Sequence, residues 1–149
     1  MERKKVNNSN GFTLIEMLLV LFIVLLTSSI VFKITLTMTE KRVVNQFFQQ
    51  VMLDIQEIQS LAIAINEPFN VQFYTNNHYK GYSIFSGEII FERDFPKNIT
   101  LEVTSNLKYF MVHPNGDVSN FGTIRFNTNF GQKNLIIYIK EGRMRIVEL

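Results

Sequence analysis

The sequence predicts an α+β protein: one long N-terminal α-helix, a membrane half followed by an amphipathic half, packed on a C-terminal antiparallel β-sheet. Three observations carry that prediction. Residues 12–32 are mostly apolar with Glu16 as their only ionisable side chain, no Gly or Pro occurs between Phe12 and Glu67, and short alternating runs separated by turn residues follow Pro68. A 149-residue chain holds one modest domain besides such a helix. There is no cysteine, which excludes a disulfide scaffold, a thiolate nucleophile and cysteine-ligated zinc. His78 and His113 are the two histidines, too few for a histidine metal cluster, so neither metal nor cofactor is expected.

Charge is unevenly placed. Arg3, Lys4 and Lys5 against Glu2 account for the whole formal net charge of +2, and the remainder is balanced. A basic pI that rests on the first residues is weak support for a nucleic-acid-binding domain. Residues 12–32 would span about 31 Å as a helix, close to the thickness of a hydrocarbon core. The basic stub before the span favours a cytoplasmic N-terminus and an outer location for the rest. By itself the span fits a membrane anchor or a secretory signal cut before Ile30, but neither accounts for Glu16. A carboxylate in a membrane helix costs about 3 kcal/mol at mid-bilayer and calls for a partner.

The string Gly11-Phe12-Thr13-Leu14-Ile15-Glu16, set between a charged stub and an unbroken apolar run, resembles the class III leader of type IV pilins and pseudopilins. The resemblance implies that a prepilin peptidase cuts after Gly11 and that Phe12 is N-methylated. It also implies an assembly role for Glu16, the fifth residue of the mature chain. Cleavage would place an ammonium on Phe12 about one turn from Glu16, and an ion pair gains most where both charges would otherwise be buried alone. The expected divisions are a cleaved leader at 1–11, a transmembrane and filament-core helix at 12–33, an amphipathic helical half at 34–66 and a β-sheet domain at 67–149.

Val44, Phe48, Val51, Ile55, Ile58, Ala62 and Ile65 recur at steps of four and three, widened by Phe47 and Leu61. Lys41, Arg42, Gln46, Gln49, Gln50, Asp54, Gln56 and Glu57 form the expected solvated face. The stripe suits either a coiled-coil dimer or packing onto the following sheet. Residues 33–39 are rich in β-branched side chains, so local give is expected there. Glu67-Pro68 ends the helix.

Strands are expected at 70–74, 81–85, 88–93, 99–103, 109–113, 122–127, 134–140 and 143–148, with turns at Ser86-Gly87, Asn115-Gly116 and Glu141-Gly142. Phe69, Phe73, Tyr74, Tyr79, Tyr82 and Phe85 are expected mostly in the core. The segments 110–116, 122–126, 135–139 and 142–144 resemble the ending of GspH-like minor pseudopilins. Size, absence of cysteine and residues 40–65 look most like the ComGD family of competence systems. That resemblance implies a minor subunit of a DNA-uptake filament at the cell surface. Its partners would be the major competence pseudopilin, other minor pseudopilins, the prepilin peptidase, a polytopic assembly platform protein and the membrane, with DNA contact indirect or weak. A minor pseudopilin of a type II secretion or related type IV pilus system, or a DNA-contacting tip subunit, is the alternative.

No nucleophile, P-loop or dinucleotide motif is present. His113 and Asp117 across the Pro114-Asn115-Gly116 turn read as a turn pair rather than a base and its orienter, so no enzyme is expected. Lys140, Arg143 and Arg145 could give a weak DNA contact, but Glu141 and Glu148 among them favour a mixed solvated edge.

Overall fold

A computed structural model describes residues 13–138 and 143–148. The chain forms two compact units that divide between Thr39 and Glu40. Helix α1, Leu14–Ile65, runs unbroken through that point. In the first unit the described side chains of α1 are all exposed, including Leu14, Phe22, Leu25, Phe32 and Met38. Thr27, Thr35, Thr37 and Thr39 turn their hydroxyls back onto carbonyls of the preceding turn, at 2.9–3.2 Å. Polar groups satisfied within the helix need no water, so the surface stays compatible with an apolar surrounding.

The second unit has its own core. Val44, Phe47, Phe48, Val51, Ile55, Ile58 and Ala62 of α1 are buried, which places the stripe against the strands of the same chain. Ile65, the last residue of the expected stripe, is 53% exposed because the helix outruns the sheet. Asn66 then turns into the left-handed region (φ 57°), a common helix stop for asparagine.

Eight strands follow among the described residues: β1 Phe69–Tyr74, β2 His78–Ser83, β3 Ile89–Asp94, β4 Ile99–Leu101, β5 Tyr109–Val112, β6 Gly122–Thr128, β7 Gly131–Ile137 and β8 Met144–Glu148. All eight expected strands are present, though β2 starts three residues earlier and β7 both starts and ends three residues earlier. The Glu141-Gly142 turn lies outside the described residues. The antiparallel strands divide into two four-stranded sheets, β3-β2-β1-β5 and β4-β6-β7-β8, where the sequence suggested one. The switch is non-local: β5 returns to β1, while β4 pairs with β6.

Rings fill the space between helix and strands. Phe47 meets Phe48, Tyr79, Phe95 and Phe126 edge-on at 5.1–6.0 Å, and Phe73 stacks on Tyr79 at 5.2 Å. Each such pair adds about 0.5–1.5 kcal/mol beyond its buried area. Of the six aromatics expected in the core, Phe69, Phe73 and Tyr79 are buried, Tyr74 and Tyr82 are half-buried, and Phe85 is exposed.

At Gly81 the helix sits directly on β2. A Cβ there would collide with Ile58 Cδ1 and lie 2.7 Å from the Phe91 ring. Gly81→Val should therefore lower unfolding stability by about 3 kcal/mol, the upper end of ordinary overpacking costs. Denaturant melts of the full chain in detergent micelles check it.

Candidate functional site

Thr13 opens α1. Its hydroxyl accepts a hydrogen bond from the Glu16 N–H at 3.3 Å, and its carbonyl accepts from the Glu16 and Met17 N–H groups, both at 3.1 Å. The Thr13-Leu14-Ile15-Glu16 spacing is that of a capping box, a local signal the pilin-like string obscured. Glu16 thus lies in the first turn, where the helix dipole favours a carboxylate. It is exposed, and among the described residues nothing hydrogen-bonds its carboxylate. Gly11 and Phe12, the expected cleavage and methylation positions, lie outside the described residues, as does Lys140. The structure keeps Arg143 and Arg145 near each other at the start of β8, Arg145 opposite Ile136. Both are exposed.

The first half of α1 is therefore an apolar surface without cover in its own unit, with one carboxylate at its N-terminal turn. A helix that is hydrophobic all round belongs inside a membrane or a protein assembly. One helix among the described residues is long and apolar enough to cross a membrane. The chemistry available to this surface is packing, not bond making.

The second unit holds its part of α1 with buried charges. Asp54, expected on the solvated face, is instead 1% exposed. Its carboxylate accepts hydrogen bonds from the Tyr79 hydroxyl at 2.5 Å, from Arg93 Nε at 2.8 Å and Nη2 at 3.2 Å, and from Gln50 Nε2 at 2.7 Å. The guanidinium and phenol offset the cost of burying the charge, and they come from β2 and β3, far from Asp54 in sequence. Burial, and then the bond to Asp54, push the Tyr79 hydroxyl well above its usual range. The same carboxylate holds the Arg93 guanidinium above its ordinary value, chiefly through its hydrogen bonds.

Lys133 makes a second tie. Its ammonium donates to Asn45 Oδ1 at 2.8 Å, pairs with Glu148 at 2.5 Å and lies 5.4 Å from the Phe48 ring centre. The last strand is thereby fastened to the helix. The hydrogen bond from Lys133 holds the Glu148 carboxyl below its ordinary value.

His113 and Asp117 are joined through the backbone, His113 N–H donating to the Asp117 carbonyl at 2.8 Å. The Asp117 carboxylate accepts from Asn115 Nδ2 at 2.7 Å and the Asp117 N–H donates to Asn115 Oδ1 at 3.1 Å, the bonding of a tight turn. No group of three or more metal-ligating side chains occurs among the described residues.

Arg93 is 46% exposed on its side chain whereas Asp54 is sealed, so the two partners should respond unequally to mutation. Arg93→Ala leaves a buried carboxylate short of its counter-charge and should cost about 3 kcal/mol or more. Asp54→Asn keeps one acceptor oxygen for the Tyr79 hydroxyl, lets the Gln50 amide turn its oxygen to the new Nδ2 and frees Arg93 to turn to water, and should cost about 1–2 kcal/mol. Denaturant melts of both variants test the order. A folded-state pKa raised at Tyr79 stabilises below the unfolded tyrosine value and is lost as pH rises past it. Stability should therefore fall above about pH 10, the unfolded tyrosine pKa, and Tyr79→Phe should flatten that decline.

The description "Prokaryotic N-terminal methylation motif" matches residues 6–32. The chain is 25% identical over 142 residues to the competence protein ComGD of Bacillus subtilis (strain 168), covering 95% of this chain and 96% of that one. Its fold is similar to the type IV minor pilin FimU of Pseudomonas aeruginosa (strain PAO1), with a TM-score of 0.54 at 17% identity over 66% of this chain and 84% of that one. It is also similar to EpsH, a minor pseudopilin of the Type 2 Secretion System of Vibrio cholerae, with a TM-score of 0.52 at 14% identity over 73% and 96% of the two chains. By its N-terminal motif, its long helix and its antiparallel sheets, the chain resembles the minor pseudopilins of the type IV pilin kind.

Proposed function

We propose that this chain is a minor pseudopilin of a filament used for DNA uptake in natural transformation. The observation that carries the reading is the first half of α1: apolar on every side, exposed in its own unit, with Glu16 at its first turn. The similarity to ComGD across nearly the whole chain supports the competence assignment over secretion.

In this reading a prepilin peptidase hydrolyses the Gly11–Phe12 peptide bond and the new amine on Phe12 is methylated. The apolar helix first holds the subunit in the membrane, then leaves it for a bundle of like helices. Hydrocarbon and helix bundle are similarly apolar, so the transfer costs little and shape decides the fit. Glu16 pairs with the N-terminal ammonium of the adjoining major or minor pseudopilin and fixes the axial step. A polytopic platform protein collects the subunits, and the second unit lies outside the membrane. The chain itself catalyses nothing.

A weak DNA contact through Lys140, Arg143 and Arg145 is the second reading, favoured by the exposure of Arg143 and Arg145. DNA binding that falls steeply with salt and is lost in the Arg143→Ala, Arg145→Ala double variant supports it.

Glu16→Ala should leave expression and membrane insertion intact. Incorporation into filaments and the transformation frequency should both drop by about a hundredfold, the equivalent of a roughly 3 kcal/mol ion pair. Unchanged transformation would reject the assembly role. Loss of protein secretion in place of transformation, in a strain lacking the whole chain, would move the protein to a secretion system.

A further inference from the structure

We propose that the end of the second unit formed by the α1 terminus and the β2–β3 hairpin docks a different filament subunit, one presenting an apolar hollow rimmed by Lys or Arg. This rests on the reading of the chain as a filament subunit.

Three segments meet at that end. The Ile84 N–H donates to the Pro68 carbonyl at 3.2 Å, which sets the hairpin beside the link between α1 and β1. Ile63 Cδ1 lies 3.1 Å from where a Cβ on Gly116 would be, which brings the turn after β5 to the same place. Ile63, Ile65, Ile84 and Ile89 are all exposed there, and Phe85 at the hairpin tip is 72% exposed. Phe85 forms no ring pair among the described contacts of the core, and Gly87 at φ 71° holds the tip turn open. Five large apolar side chains on two adjoining segments exceed the scattered apolar exposure of an ordinary surface, and a protruding aromatic is the usual anchor of an interface.

Charge selects the occupant. Residues 58–79, 81–91 and 109–124, which build this end and the strands leading from it, contain Glu67, Glu88 and Asp117 and no Lys or Arg. The last turn of α1 has no basic residue either, so the negative end of its dipole adds to the same field. Lys80, between the first two of these stretches, holds its ammonium over the Tyr74 and Tyr82 rings. A second copy would set acid against acid, which opposes self-docking, while a basic rim complements it.

The chain has no cysteine, so Phe85→Cys provides a single thiol for a benzophenone maleimide on the full chain in filament-forming cells. Irradiation should join it to another subunit bearing the N-terminal methylation motif. Adding Glu67→Lys and Glu88→Lys should lower that product about tenfold, with the chain still folded and membrane-inserted. A product between two copies of this chain, or a product indifferent to charge reversal, overturns the proposal. With the chain present in the sheared filament fraction, absence of the cross-link overturns this surface alone. A chain missing from that fraction overturns the subunit reading and this proposal with it.

Discussion

An α-helix that is apolar around its whole circumference has to find its surroundings outside its own chain. That constraint governs the first half of α1, where Leu14 through Met38 are exposed and the threonine hydroxyls are satisfied inside the helix. Such a surface is equally at home in hydrocarbon and among similar helices, which is what a subunit that changes from one to the other requires. As far as Phe32 the one charge on that surface is the carboxylate at its start, and Lys33 follows at the end of the apolar run. Glu16 is costly in either setting unless a cation meets it, and in the proposed filament that pairing would turn an indifferent apolar contact into a defined register.

The second half of the same helix obeys a different rule. Its apolar stripe is used up internally, against two sheets and a cluster of edge-on rings. Buried charge then fixes what apolar packing alone leaves adjustable. Asp54 meets Arg93 and Tyr79 at one place along the helix, and Lys133 meets Asn45 and Glu148 at another. Either pair could be replaced by apolar groups at little cost in stability, but directional bonds tie helix and strands at defined positions. Gly81 has the complementary role, since only a residue without a side chain lets Ile58 and Phe91 close over β2.

Much of this was legible in the residues because it depends on local pattern. The helix, its apolar stripe and all eight strands follow from spacing and turn chemistry, and the N-terminal string pointed to pilin-like proteins. What was missed depends on partners far apart in sequence. Asp54 looks solvated on a helical wheel because the wheel does not show Tyr79 and Arg93, 25 and 39 residues away. The division into two sheets turns on β5 joining β1 and β4 joining β6, which alternation within each strand cannot express. Ile65 keeps the period but overshoots the sheet that would have covered it, and nothing in the local pattern around Lys133 signals its contacts with Asn45 and Glu148. The Thr13–Glu16 cap, by contrast, was readable from four consecutive residues.

The account requires that Glu16 face an amine made by proteolysis, and the mass of the mature N-terminal peptide tests that most directly. A peptide beginning at N-methylated Phe12, with the apolar helix retained, is the result it predicts. A chain that begins at Ile30, its apolar segment removed, would contradict it.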